Sequence, residues 1–341
     1  SMASPMTVVL HEAAAHLGQV PAPVSTVGRE VTAELSTPVR VGVVGRVASG
    51  KSTLVNALLG VPIAPVGAGE TTFLPCRFEH GRYTTASAVI GTRRVPLSLD
   101  GDHLPDRLPP EAGDWAAERG VGIEVTLASP LLEHLQLLDT PGLASTSTDV
   151  SSRTAALLEQ VTGDCVRQVD ALLLVLTGST RAEDAEAARM LISSVPAVAG
   201  VPVMAALTRC DTFHQDLPTA MRTATAIAQG IAADNREVIS QVIPLVGLLA
   251  STGVTGALSE RHVRSLRVLV DELAEDQELV LCDARLLAEV DSALTLAERA
   301  ELVRLLGLSG LSWTLNHLRA RPATDARMLC DALEQVSGIS P

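Results

Sequence analysis

The sequence predicts an α/β fold with a mostly parallel central sheet, flanked by helices on its N- and C-terminal sides. Three observations carry this. Short apolar runs at 40–45, 135–138, 171–176 and 201–207 read as strands buried on both faces. Stretches of helical spacing lie between them. Beyond about residue 250 the strand signals stop and leucine stripes of helical period take over. Alternation of buried strands with helices is the pattern of a sheet covered on both sides.

Each element can be justified in chain order. Met6, Val9, Leu10, Ala13 and Leu17 form a helical stripe, and Pro21 and Pro23 mark a linker after it. Arg40 to Gly45 is the first strand, and helical spacing returns at Leu54, Val55 and Leu58. Leu74, Cys76, Phe78 and His80 share one face of an alternating run, where Pro75 marks an edge strand. Val121, Ile123, Val125 and Leu127 alternate with Gly122, Glu124 and Thr126, a half-buried strand. Leu135 to Leu138 is interrupted only by Gln136, and Val201 to Leu207 only by Pro202, while Ala171 to Leu176 is unbroken. Helices are expected near 150–163, 181–193 and 217–234, with Thr180 and Glu183 as a capping box for the second. Val263, Leu266, Leu269 and Leu273 form one later stripe; Leu286, Leu287, Val290 and Leu294 another; Leu302, Leu305 and Leu306 continue it. The chain thus divides into an N-terminal helical segment at 3–36, an α/β domain at 37–252 and a helical region at 253–341.

Composition removes several function classes. With 47% apolar and 19% charged residues, the 341-residue chain is not a disordered one. No apolar run approaches the ~18 residues of a membrane-spanning helix. A net charge of −13 speaks against nucleic acid as a partner, because binding it takes a basic face. Cysteines at 76, 165, 210, 282 and 330, with no CxxC, read as reduced thiols of a cytoplasmic protein. His80 and His134 have no second ligand at metal spacing.

The chemistry starts at Gly45-Arg46-Val47-Ala48-Ser49-Gly50-Lys51-Ser52, which fits G-x-x-x-x-G-K-[ST] between a strand and an amphipathic helix. A glycine-rich loop lets backbone N–H groups close around phosphate oxygens, and the helix N-terminus adds partial positive charge. Lys51 is the single lysine among 26 basic residues. A compact ammonium reaches β- and γ-phosphates where an arginine fork does not fit. Ser52 is a candidate Mg²⁺ ligand, and Thr53 a candidate contact to the α-phosphate. Asp139-Thr140-Pro141-Gly142 ends an apolar strand: Asp139 could hold Mg²⁺ directly or through water, and Gly142 could offer an N–H to the γ-phosphate. Thr208-Arg209-Cys210-Asp211 follows another strand and is a loose form of the guanine-reading [NT]-K-x-D motif. There Asp211 would accept from guanine N1–H and N2–H₂, and the stem of Arg209 would cover the base. A Gly-rich turn, a Pro-Gly turn and a polar strand end would each match one piece alone; their order argues for nucleotide binding.

Taken together, these motifs resemble those of the dynamin family of GTPases. Gly50-Lys51-Ser52-Thr53-Leu54-Val55-Asn56-Ala57-Leu58-Leu59-Gly60 is similar to the family's G-K-S-T-L-x-N-A-L-L-G stretch. The long middle between Lys51 and Asp139 is a dynamin-like feature too. Ala64 to Thr72 and Ile243 to Ala250 resemble the bacterial, isoniazid-inducible branch. The resemblance implies a P-loop GTPase domain that hydrolyses GTP to GDP and phosphate with Mg²⁺. It implies that Lys51, Thr72 and Gly142 act in catalysis, and that Ser52, Thr72 and Asp139 hold the metal. Thr72 matches the switch threonine that positions water; a register shift of one gives that role to Thr71. Gly45, Ser49, Gly50, Lys51, Ser52, Thr53, Thr208, Arg209, Asp211, Val246 and Gly247 would line the nucleotide. Partners implied are GTP, a second copy through the GTPase domain, and a membrane contacted peripherally, on the inner face of the plasma membrane, by regions outside this chain. Val47 and Ala48 depart from the Gln and Ser of eukaryotic dynamins, Arg209 replaces a lysine, and Arg46 could act as an internal arginine finger or face solvent. The Ser/Thr-rich stretch 145–152 fits either a switch ordered by the γ-phosphate or a polar surface loop.

Overall fold

The computed structural model describes residues 37–46, 48–65, 71, 74–113, 121–141, 169–177 and 201–339. The expected helices at 6–17, 150–163 and 181–193 lie outside the described residues, as do Val47, Thr72, Gly142 and 145–152. The strands are β1 Val39–Gly45, β2 Cys76–His80, β3 Thr85–Ile90, β4 Arg93–Leu97, β5 Val121–Leu127, β6 Leu135–Asp139, β7 Ala171–Thr177, β8 Val203–Thr208 and β9 Ile239–Pro244. The described helices are α1 Lys51–Leu59, α2 Leu217–Asp234, α3 Gly247–Val254, α4 Glu260–Glu272, α5 Gln277–Val280, α6 Ala284–Glu289, α7 Leu296–Ala320 and α8 Ala326–Ser337. None of them is long and apolar enough to cross a membrane.

The nine strands of the described residues join one sheet in the order β4-β3-β5-β2-β6-β1-β7-β8-β9. Its pairings are mostly parallel: β1 with β6 and β7, β7 with β8, β8 with β9, and β2 with β5. β2 runs antiparallel to β6, and β3 antiparallel to β4 and β5. The parallel strands end at one sheet edge with Gly45, Asp139, Thr177, Thr208 and Pro244. In open α/β sheets ligands bind in the crevice outside that edge, at the point where the strand order reverses. β1 marks such a point, with β6 on one side and β7, the next strand in the chain after it, on the other.

Why the central runs read as unbroken is visible in the packing. Val43, Leu137, Val175 and Ala206 face one core with Leu54, Val55 and Phe78. Their neighbours Val44, Leu138, Leu174 and Ala205 face the other, which the C-terminal helices fill. Successive side chains point to opposite faces of a strand, so burial on both faces removes the polar alternation. The first C-terminal stripe behaves as expected: Val263, Leu266, Leu269 and Leu273 are all buried.

Two expectations need correction. β2 is an interior strand, not an edge. Pro75 sits just ahead of the ladder, so its missing N–H is not needed there, while its carbonyl accepts from Ile123 at 2.8 Å. The proline on the true edge is Pro96 in β4, where it blunts unpaired backbone. The stripe through Leu286, Leu287, Val290 and Leu294 is not one helix. α6 ends at Glu289, Val290 is extended, and Leu286 is exposed.

α7 breaks at Gly307, whose φ of 66° and ψ of 175° are not helical. A break orphans carbonyls in the turn before it. Thr252 of α3, fully buried, answers one of them by donating its hydroxyl to Leu305 O at 2.6 Å. Thr252→Val keeps the shape but leaves that carbonyl dry. We expect a loss of about 1–3 kcal/mol, read as a fall in the urea midpoint with an unchanged m-value; an unchanged midpoint would show the bond to be dispensable.

Candidate functional site

The site begins where β1 delivers the chain into the phosphate loop. A Cβ on Gly45 would lie 2.8 Å from Ser49 Oγ and 2.8 Å from the Val175 carbonyl, so only glycine lets the loop fold back on β7. Ala48 (φ 61°) and Gly50 (φ 87°) are both left-handed, and the Ser49 N–H donates to Arg46 O at 3.2 Å. Such alternation of backbone hand curls successive N–H groups into a concave, anion-binding shape. Gly50 is the N-cap of α1 and offers no side-chain oxygen, which leaves the first-turn amides open to an anionic ligand.

Lys51 opens α1 and is only 8% exposed. Its charge acts on Asp139, at the end of the neighbouring strand β6. Ser52 Oγ donates to Asp139 Oδ2 at 3.2 Å. The other carboxylate oxygen, Oδ1, is buried without a hydrogen-bond partner. Burial pushes the Asp139 carboxyl up from its ordinary range, while the Lys51 charge and the Ser52 hydroxyl pull it down. A buried carboxylate with one dry oxygen calls for a cation or a donor. Ser52 and Asp139 are hard oxygen ligands of the kind Mg²⁺ takes alongside phosphates. Thr140 fixes this strand end by donating its hydroxyl to Val43 O at 2.8 Å.

Thr208 lies at the end of β8. Its hydroxyl reaches Ser49 O at 2.7 Å and Leu176 O at 3.0 Å, tying the T-R-C-D segment to the phosphate loop. The hydroxyl is engaged by backbone, so Thr208 positions the loops. Arg209 (φ 55°, ψ 34°) turns the chain into a short 3-10 turn over Cys210–Thr212. Asp211 is partly buried; burial raises its carboxyl, and its own backbone amide and the Arg209 charge lower it. Cys210 is fully buried, and burial pushes its thiol up to about 12, so it fills space and is not a reactive thiolate.

The loop after β9 comes to the same place. A Cβ on Gly247 would lie 3.7 Å from Thr53 Cγ2, so this loop abuts the start of α1. The Val246 side chain is in the core, and its N–H donates to Ser337 O at 2.8 Å. Thr71 is fully buried with its hydroxyl on Pro105 O at 2.9 Å. The structure thus brings together Gly45, Ser49, Gly50, Lys51, Ser52, Thr53, Asp139, Thr208, Arg209, Asp211, Val246 and Gly247; Thr72 and Gly142 lie outside the described residues. Sequence reasoning missed Thr140 and Ser309. Thr140 was legible as the polar residue after Asp139. Ser309, whose hydroxyl donates to Asp211 O at 3.3 Å, comes from a distant helix and left no local signal.

Comparison with known proteins bears on this arrangement. A solved structure of an oligomerised bacterial dynamin pair, described as sensing and tethering membranes, aligns with TM-score 0.43 and 12% identity, covering 85% of this chain and 48% of its own. Isoniazid-induced protein IniA of Mycobacterium tuberculosis is 33% identical over 129 residues, 36% of this chain and 20% of its own. Isoniazid-induced protein IniC of the same organism is 29% identical over 305 residues, 85% of this chain and 58% of its own. The chain therefore spans somewhat over half the length of IniC. Residues 41–196, which run from β1 through the phosphate loop and Asp139, match the Dynamin family. That match falls on the P-loop part of the sheet, and IniC is similar along 85% of this chain, so the chain is dynamin-like at 41–196 and IniC-like over most of its length.

Proposed function

We propose that this chain binds GTP with Mg²⁺ and hydrolyses it to GDP and phosphate, through a GTPase domain at 37–252 with the helical region 253–341 packed beside it. The observation that supports this best is the Ser52–Asp139 contact beside buried Lys51, at the mouth of a loop that only glycine at 45 can close. Phosphoryl transfer to water needs positioning and charge stabilisation, with no covalent intermediate. Lys51 neutralises charge on the β- and γ-phosphates. Ser52 and Thr72 hold Mg²⁺, with Asp139 behind them; the ion, when bound, supplies positive charge to the phosphate oxygens. Gly142 contacts the γ-phosphate. Asp211 selects guanine, and Val246 and Gly247 close the base site by their backbone. We further propose a cytoplasmic protein that self-associates through its GTPase domain and serves membrane remodelling or maintenance, touching the membrane through regions outside this chain. The match of 41–196 to the Dynamin family supports this reading. Nucleic acid is no part of it.

A second reading is a GTP-gated binding module with little hydrolysis. Ala48 favours it, because a methyl group in this loop cannot orient water by a hydrogen bond. Phosphate release from GTP, measured over a wide range of protein concentration with Lys51→Ala as blank, separates the two. We expect turnover that vanishes with EDTA, returns with Mg²⁺, and rises per molecule as copies pair. Turnover flat with concentration and at the level of the blank would leave the gated module.

A further inference from the structure

We infer that Ser309, on the C-terminal helix α7, is a positioning residue for guanine recognition, and that α7 and α8 together brace both base-side loops. This rests on the reading of Asp211 as the guanine selector. Four contacts place the brace. The Ser309 hydroxyl donates to the Asp211 carbonyl at 3.3 Å. Two residues earlier the Gly307 break re-aims α7. One residue later Gly310 lies where a Cβ would come within 2.5 Å of Leu249, so α7 seats directly on α3, the helix that the 245–247 loop opens. The Val246 N–H donates to Ser337 O at the end of α8, and a Cβ on Gly338 (φ 83°) would lie 2.5 Å from the Pro244 carbonyl.

Each base-side loop therefore ends on a C-terminal helix. The turn at 210–212 has its own local bonds, from the Thr212 N–H and hydroxyl to Arg209 O, but these set the shape of the turn and not its place relative to the sheet. Thr208 ties its near side to the phosphate loop; Ser309 ties its far side to α7. Selectivity for a base depends on holding acceptors at fixed positions, and a loose acceptor discriminates poorly. Guanine preference is on this account set partly by residues beyond 41–196, the stretch that matches the family.

The test uses the whole chain with Ser309→Ala and, as the conservative variant, Ser309→Thr. Loss of one neutral hydrogen bond predicts a KM for GTP raised about three- to tenfold. The preference for GTP over ITP, which lacks the N2 amino group, should fall by a similar factor. The kcat at saturating GTP should stay within about twofold, and Ser309→Thr should restore KM and preference. An unchanged KM and preference in Ser309→Ala, with a wild type that favours GTP, overturns the brace alone. So does a fall in kcat and melting temperature with preference intact, which is what a merely structural role gives. A wild type without preference for GTP over ITP overturns the guanine reading and the brace with it.

Discussion

Replacing Lys51 with alanine should weaken GTP and GDP binding by at least about a hundredfold while leaving the chain folded. The size follows from what the side chain would do. Charge-assisted hydrogen bonds contribute about 1.5–3 kcal/mol each, and an ammonium between two phosphates makes at least two. Lys51 is mostly buried, and its charge acts on the Asp139 carboxylate. Alanine removes that compensation too, so Asp139 should be easier to protonate in the variant. Lys51→Arg is the sharper control. The chain uses arginine for every other basic position, yet a planar fork matches neither the point-like cradle nor its depth. We expect Lys51→Arg to bind little better than Lys51→Ala. Equilibrium titration with a fluorescent GDP, alongside thermal melts of each variant, gives the answer. Near-native affinity in a folded Lys51→Ala protein would remove the phosphate-loop reading altogether.

How much of this was legible in the sequence depends on where the information sits. The parallel strands announced themselves because burial on both faces leaves only apolar residues, as at Ala171 to Leu176. The hairpin of β3 and β4 did not. Its inward face on β3 is Ala86, Ala88 and Ile90, and small alanines give little contrast against polar neighbours. β9 was missed for a similar reason: Ser240 and Gln241 interrupt it, and the pairing with β8 shifts register between Val203 and Met204. Pro75 was read as an edge marker because sequence does not say which residue a ladder starts on. The setting of the phosphate loop between a strand and a helix was legible, since its glycines and lysine are constrained by one local geometry. The ties between loops were not. Thr208 to Ser49, Thr252 to Leu305 and Ser309 to Asp211 join residues far apart in the chain, and each looks locally like an ordinary polar residue.

The second large effect should come from Asp211, and its signature is a change in selectivity. A carboxylate that accepts from both N1–H and N2–H₂ of guanine makes two charge-assisted bonds, so Asp211→Ala should weaken GTP binding by at least about a hundredfold. ITP keeps N1–H and lacks the N2 amino group. Against the wild type it should already bind about tenfold or more weakly than GTP, because the carboxylate loses one donor. In Asp211→Ala both triphosphates lose their acceptor, and the ratio between them should close toward one. ATP tests the converse, since adenine offers no N1–H and gains nothing from the carboxylate; its weak binding should change little. The environment makes the substitution a fair one. Asp211 is partly buried at the head of a short turn whose shape rests on backbone and Thr212 contacts, so the alanine variant retains that turn. Burial already raises the Asp211 carboxyl in the free protein. Guanine donors favour its ionised form, so bound nucleotide should lower it again, and GTP affinity should decline as pH falls through the free-state value. A ratio that stays at its wild-type value in Asp211→Ala would assign guanine selection to the 245–247 loop instead, leaving the carboxylate with no part in reading the base.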